Sequence, residues 1–342
     1  MAPLECWKLF AGPAVLILAL FLDLVVGDPR WLPHPVVGMG KAALLCEAPL
    51  RFFGRRAGGR PRGEFLAGLG LVLLVGGGSF LLSGVLLLFL FDRGFTLAGT
   101  IVSAFLVAAT IAVKSLGEHA RAVARPLAEG RLAEARRAVG MIVGRDVSSL
   151  DGPEVARAAV ESVAENASDG IVAPLFYAAV GGAPLALAYR AVNTLDAMYG
   201  HRTPENLYFG RAAARLDDFL NYLPARLTAL LFLAAGFFLK KNVFFARQVL
   251  RQDGSKHPSP NSGRPEAAMA GLLNIRLGGL NSYHGEVSFL PYLNAAGRAA
   301  AEKDIGEALR VVQISTLLAL AGCVFLNLGI SALLTELLFL MR

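Results

Sequence analysis

The chain has 342 residues, of which 55% are hydrophobic and 17% charged, with a formal net charge of +7. Soluble domains carry about 45–50% apolar and about 25% charged residues. An ordinary soluble enzyme, a disordered chain, a collagen and a coiled coil are therefore excluded, and a multi-pass membrane protein is indicated. Cys6, Cys46 and Cys323 lie far apart in sequence and form neither a disulfide framework nor a Cys-x-x-Cys metal motif. The basic excess, 33 Lys and Arg against 26 Asp and Glu, comes with no zinc-finger spacing, helix-turn-helix or basic-aromatic signature. No nucleic-acid partner is expected.

A spanning helix needs about 20 apolar residues. Residues 9–27 qualify, interrupted only by Asp23, and lack the basic start and small-residue cleavage site of a signal peptide. Residues 65–91 carry no charge and six glycines, which suits close helix packing. Residues 95–113 are equally clean, so the two form a hairpin about Asp92-Arg93-Gly94. Residues 315–341 close the series. Two weaker segments lie between them: 171–192, with Pro174, Gly181-Gly182 and Arg190, and 222–239, with Pro224 and Arg226. The loops 28–64, 114–170 and 240–314 hold seven, eight and ten Lys and Arg, whereas 92–94 holds one. The excess of positive charge puts those three loops in the cytoplasm. The weak segments must then both cross or both dip and return. Broken or re-entrant helices are favoured, because crossing would send the polar stretch 193–221 outside, and irregular backbone survives only against protein or a wet cavity. The fold expected is an all-α, single membrane-embedded domain over 1–342. It has four to six membrane-embedded helices and cytoplasm-facing helical loops, including an amphipathic pair over 116–142 broken near Pro126 and Gly130.

Four polar clusters carry the chemistry. In the first, Asp151, Pro153 and Glu154 spell a capped helix start. Arg157, Glu161 and Glu165 then recur every four residues on one side, with Asp169 following. A solvated face is the plain explanation. The stripe runs into an apolar segment, however, where carboxylates are costly without a partner or a task. Arg145-Asp146 is a further polar pair just upstream. The second cluster joins Asn193-Thr-Leu-Asp196 to Arg211, Arg215, Asp217, Asp218 and Asn221. Adjacent Asp217 and Asp218 point about 100° apart. They suit either a hydrated Mg²⁺, which takes one or two carboxylates plus phosphate oxygens, or Arg–Asp ion pairs at a helix end. The third is 253–266, a Pro/Gly/Ser/Asn loop leading into a helix opened by Pro265-Glu266. Lys256, His257, Ser259, Asn261, Ser262 and Arg264 offer donors beside free helix-start amides, a natural anion site; a plain capped turn is the alternative. Gly278-Gly279 to Tyr283-His284-Gly285 is a fainter candidate for a substrate loop. The fourth runs from Asp23 through 27–35, where Trp31 fits the interface belt and His34 reads as a turn residue.

Several chemistries are absent. There is no GxxxxGK[ST] loop and no GxGxxG after a strand, so a nucleotide would be held unconventionally. No GxSxG elbow and no HxxxH or HExxH spacing occurs, which counts against serine and zinc hydrolases.

In order along the chain, these strings resemble the membrane-bound adenosylcobinamide-phosphate synthase family of cobalamin biosynthesis. The matching pieces are Gly27-Asp-Pro-x-x-Leu-Pro-His-Pro35, Gly144-Arg-Asp146, Arg157 to Asn166 with Asp169-Gly170, and Ala173-Pro-Leu-Phe-Tyr177. They continue with Asn193-Thr-Leu-Asp196, Phe209 to Asp218, His257-Pro-Ser-Pro-Asn-Ser-Gly263 and Pro265 to Ala270. The likeness covers about residues 14–300 and departs mainly at Ala197 and His201. It implies ATP-dependent amide formation between adenosylcobyric acid and aminopropanol phosphate or a related amino-alcohol phosphate, in the cell membrane with the site facing the cytoplasm. Other late cobalamin-pathway membrane proteins are its expected neighbours. Under that likeness, Asp217 and Asp218 would carry Mg²⁺, with Glu161, Glu165 and Asp169 as alternative or additional ligands. Arg157, Arg215 and the 256–264 loop would cradle phosphates. Arg145, Asp146, Asn193, Asp196, Asn221 and Glu266 would line the substrate. His257 or Glu165 would take the amine proton. Two rivals stand beside it: a Mg²⁺-dependent intramembrane prenyl- or phospho-alcohol transferase, and a non-catalytic membrane sensor related to the family. The clusters are expected to share one wet chamber.

Overall fold

The computed structural model describes residues 12–27, 34–201, 203–283 and 285–340. The start of the first apolar segment, most of the 27–35 motif with Trp31, and Arg202 and His284 lie outside the described residues. In chain order the helices are α1 (Pro13–Val25), α2 (Pro35–Val72), α3 (Gly78–Asp92), α4 (Thr96–Ala108), α5 (Val113–Ala128) and α6 (Leu132–Val139). There follow α7 (Gly152–Ala167), α8 (Ala173–Tyr199), α9 (Arg211–Phe238), α10 (Val243–Asp253), α11 (Gly263–Leu273) and α12 (Glu302–Leu340). Two strands, β1 (Leu277–Tyr283) and β2 (Glu286–Leu293), lie between α11 and α12. By mutual packing the chain forms two compact units, one of 1–112, 173–220 and 320–342, the other of 113–172 and 221–319.

Glycine sets the turns of the first unit. Gly59 takes φ +68° inside α2, a conformation that costs any residue with a Cβ, and the chain doubles back there. A Cβ on Gly63 would lie 1.8 Å from the Gly54 carbonyl oxygen, so the two arms touch backbone to backbone. The stretch 28–64, read from sequence as a basic loop, is thus helical from Pro35 onward. In α8, Gly182 takes φ +67° and Pro184 follows. The rings of Tyr177 and Tyr189 stack with centroids 4.9 Å apart. Twelve residues of straight helix would rise about 18 Å, so α8 reverses at Gly181-Gly182. Helices α3 and α4 form the hairpin expected about Asp92-Arg93-Gly94, and both pack on α8. The apolar core here joins Met39, Ala43, Leu71, Val75, Leu187, Leu195 and Phe209.

The expected break in 222–239 is corrected: α9 stays helical through Pro224. Proline has no N–H to give the carbonyl four residues back. That oxygen, on Leu220, accepts from the Tyr177 hydroxyl at 2.7 Å instead. The lost bond is replaced from outside the helix.

In the second unit α5 and α6 pair around Gly130, at φ +73°, so Gly130 makes the break while Pro126 remains within α5. The capping box forms: the Asp151 carboxylate accepts from the Glu154 N–H at 2.9 Å. Helix α7 packs against α5, α6, α11 and β1, its buried Ala156, Ala158, Ala159 and Ala164 allowing close approach. A π-helical turn, Ser168–Val172, follows it. The antiparallel pairing of β1 with β2 is the exception to an otherwise all-α fold. Its signal was hidden because burial along neither strand alternates.

Among the described residues, five helical stretches are long and apolar enough to cross a membrane: Pro35–Asp92, Thr96–Ala128, Gly152–Tyr199, Arg211–Phe238 and Glu302–Leu337. The most apolar window of the last is only 17% buried, with Leu317, Phe325 and Leu333 exposed. Such a surface belongs in lipid, and the protein is an all-α, multi-pass membrane protein.

Candidate active site

The densest polar constellation lies inside the second unit, where α7 meets the β hairpin. Glu161 is 4% exposed, and both its carboxylate oxygens accept hydrogen bonds. Oε2 accepts from Arg145 at 2.5 Å, while Oε1 accepts from Arg157 at 3.2 Å and from the Gly278 N–H at 2.8 Å. Asn281 closes the group: its Oδ1 accepts from both Arg145 and Arg157. Arg157 also reaches the Leu280 carbonyl at 3.0 Å. One carboxylate between two buried guanidinium groups is a costly arrangement to desolvate, and only this complete set of hydrogen bonds makes it tolerable. Burial works against the charge of Arg145, but the Glu161 carboxylate outweighs it and raises the guanidinium above its ordinary range. The four-residue spacing of 157 and 161 therefore builds a core ion pair, not a solvated stripe.

Asp146 pins the hairpin tip. It accepts from the Ser282 hydroxyl at 2.6 Å and the Gly285 N–H at 2.9 Å, and its own N–H donates to the Ser282 carbonyl at 2.8 Å. Glu266, on α11, is 5% exposed. Burial, then the negative charges of Glu161 and Glu165, push its carboxyl well above the usual carboxylate range.

Glu165 is half-buried and accepts from the Ser262 hydroxyl at 2.7 Å. The 253–266 loop otherwise spends most of its donors on itself. Lys256 pairs with Asp253 at 2.5 Å. The Ser259 Oγ accepts from the N–H groups of Asn261 and Ser262, and His257 Nδ1 accepts from the Ser259 N–H at 3.0 Å. Gly263 permits this tight turn, since a Cβ there would lie 2.5 Å from that of His257. Asp169 sits half-buried in the π-helical turn after α7.

In the first unit, Asn193 donates to Asp217 Oδ1 at 3.2 Å and accepts from Arg190 at 3.2 Å. Asp217 is buried, whereas Asp218 and Arg215 are exposed, as their different directions on the helix require. Asp196 lies half-buried near the end of α8. Asn221, the first residue of the second unit, is buried. Among the described residues no group of three His, Cys, Asp or Glu side chains could by itself hold a metal ion. Asp217 with Asn193 fits the other mode, in which Mg²⁺ keeps water and phosphate oxygens around one or two protein ligands.

Sequence reasoning singled out Arg145, Asp146, Arg157, Glu161, Glu165, Ser262 and Glu266, and the second unit brings these together. It missed Asn281 and the Gly278 amide. Asn281 is 3% exposed, and its Nδ2 has no hydrogen-bond partner among the described residues. A buried donor left open is expensive, and beside two arginines it is the natural place for a ligand oxygen. The only hint in sequence was the Gly278-Gly279 pair, taken for a loop.

Comparison with known proteins follows the same residues. The family described as CobD/Cbib protein matches residues 16–312. The chain is 45% identical over 306 residues to the cobalamin biosynthesis protein CobD of Halalkalibacterium halodurans, covering 88% of this chain and 92% of that one. It is 46% identical over 273 residues to the CobD of Geobacter metallireducens, covering 80% and 83%, and 45% identical over 312 residues to that of Rhizobium meliloti, covering 87% and 91%. No solved structure matches.

Proposed function

The chain belongs to the CobD/Cbib family of cobalamin biosynthesis proteins, and on that premise we propose that it is an ATP-dependent, amide-forming adenosylcobinamide-phosphate synthase. Its substrates would be adenosylcobyric acid and aminopropanol phosphate or a related amino-alcohol phosphate. It would work at the cell membrane with the site on the cytoplasmic side, where its basic loops belong.

The observation that carries this proposal is the Arg145–Glu161–Arg157 constellation with the open amide of Asn281. Two fixed guanidinium groups and a free amide donor suit an oxyanion, either phosphate or the carboxylate to be activated. In the reaction, a substrate carboxylate oxygen takes the terminal phosphoryl group of ATP and ADP leaves. The amine then attacks the acyl carbon, gives up a proton, and phosphate leaves. Glu161 already accepts three hydrogen bonds, two of them from guanidinium groups, and holds the arginines in place. Glu165 is the better base. It is half-buried and accepts a single hydrogen bond, from Ser262. His257 is the poorer one: its Nδ1 already accepts from the Ser259 N–H, so in the neutral ring Nε2 carries the hydrogen and has no lone pair to offer. Mg²⁺, when bound, would neutralise phosphate charge, and Asp217 with Asn193 are the groups that would hold it; Asp218, exposed on another side of the helix, stands apart from that pair.

The test is to incubate purified protein with ATP, Mg²⁺, adenosylcobyric acid and aminopropanol phosphate and to measure adenosylcobinamide phosphate by mass spectrometry. Product should form with wild type and fall at least a hundredfold with Glu165→Gln. ATP-independent product, or none at all from folded protein, would overturn the proposal.

A further inference from the structure

The connection 203–210 in the first unit is held harder than a surface loop requires. Arg51 pairs with Glu47 at 2.8 Å, donates to the Glu205 carbonyl at 3.0 Å and Asn206 Oδ1 at 2.7 Å, and lies over the Phe209 ring. Arg60 reaches the Pro204 carbonyl at 3.2 Å. The backbones meet without room for a side chain: a Cβ on Gly68 would lie 1.9 Å from the Phe209 carbonyl oxygen, and one on Gly210 1.8 Å from that of Tyr199. This clamp fixes Tyr208 and the start of α9 beside the second arm of α2. Between them lies a cavity of about 290 Å³, lined by Pro61, Arg62, Phe65, Tyr208, Arg211 and Arg215.

Arg62, Arg211 and Arg215 line this cavity, mainly with the apolar stems of their side chains, and among the described residues no carboxylate lines it. Neighbouring arginines are paired: Arg51 with Glu47, and Arg55 and Arg60 with the buried Glu64. Arg62, Arg211 and Arg215 make no hydrogen bond or ion pair with any described residue. Arg211 is the first residue of the 28-residue α9, so the positive end of the helix dipole adds to the same field. Arg211 and Arg215, four residues apart, share one face. Like charges gathered around one cavity repel one another until an anion joins them, and guanidinium forks match phosphate oxygens best.

We propose that this cavity binds a phosphate-bearing anion, with ATP as the occupant that the proposed reaction supplies. The naming of ATP rests on the amide-forming reading; the phosphate site does not.

The experiment uses full-length protein in nanodiscs of phosphatidylcholine, titrated calorimetrically with ATP, and a parallel set in which phosphatidylglycerol replaces part of the lipid. Wild type should bind ATP. Arg62→Ala/Arg211→Ala should weaken binding by at least tenfold, the loss expected for charge-assisted contacts, with an unchanged melting temperature because both side chains are exposed. Arg211→Lys should lose less than Arg211→Ala. Saturation by phosphatidylglycerol instead of ATP, again lost in the double variant, would keep the phosphate site and make a lipid headgroup its occupant. Equal binding of both ligands by wild type and double variant, or binding of neither by wild type, overturns the proposal. If ATP binding depends on these arginines while wild type makes no amide product, the enzymatic reading fails and the cavity stands.

Discussion

Replacing Glu161 by Gln keeps the side chain's shape and removes its charge, which isolates the buried ion pairs from packing. The carboxylate accepts three hydrogen bonds, from Arg145, Arg157 and the Gly278 N–H. A carboxamide offers one oxygen and one NH₂. Whichever way it turns, a donor faces a donor, and two buried guanidinium groups lose their counter-charge. Breaking a buried pair from one side costs about 3–5 kcal/mol, which lowers the melting temperature by roughly 10 °C. Glu165→Gln is the contrast: half-buried, with only the Ser262 hydroxyl as hydrogen-bond donor, it loses about 1 kcal/mol or less. Thermal unfolding in detergent, followed by tryptophan fluorescence, measures both. Replacing Arg145, Arg157 and Glu161 together by Met, Met and Leu should cost less than Glu161→Gln alone, since no charge is then left unpaired. Glu161→Gln melting within a degree or two of wild type, or Glu165→Gln falling as far, would refute the account of the constellation.

Three further outcomes follow from the packing. Glu266 has its carboxyl raised in the folded protein. Its stabilising contribution is complete below the ordinary glutamate value near 4.3 and is lost as pH rises through the raised one, by up to about 1.4 kcal/mol per pH unit. Glu266→Gln should remove this loss, and superimposable profiles of melting temperature against pH for variant and wild type would contradict it. Tyr177→Phe strands the Leu220 carbonyl and should cost about 1–2 kcal/mol, whereas Pro224→Ala restores an N–H to that oxygen. A double-mutant cycle should show the second change rescuing the first, and strict additivity would rule out the replacement hydrogen bond. Gly210→Ala would set a Cβ 1.8 Å from the Tyr199 carbonyl oxygen, so it should lower both the melting temperature and the ATP affinity; a neutral result would show the loop is not clamped.

What the sequence disclosed and what it hid divide along a physical line. Local signals were sound: the Asp151–Glu154 box, the Asp92-Arg93-Gly94 turn and the Gly181-Gly182 reversal each depend on residues within a few positions of one another. Pro224 misled because its consequence depends on a tyrosine hydroxyl 47 positions earlier, and no local pattern announces that rescue. The hairpin was missed because its strands are not amphipathic and Gly278 and Gly279 take positive φ, which resembles a loop from composition alone. Within the site, the carboxylates of α7 stood out because charge in an apolar run is rare. Asn281 did not, because an asparagine in a glycine-rich stretch is ordinary until its neighbours are known to be Arg145 and Arg157.

Charge balance ties these observations to the proposed chemistry. Arg145 and Arg157 bring two positive charges, against the carboxylates of Glu161, Glu165 and, at the hairpin tip, Asp146. A further ionised carboxylate at Glu266 would add negative charge and repel the phosphates and carboxylate that the proposed reaction must bring together. Burying Glu266 among acids disfavours that added charge, which leaves the two arginines more field for an anion to enter. On this view Glu266, expected from sequence to line the substrate, serves by keeping the constellation electrically open to it. Its cost, a stability that declines as pH rises, is what the comparison of Glu266→Gln with wild type measures.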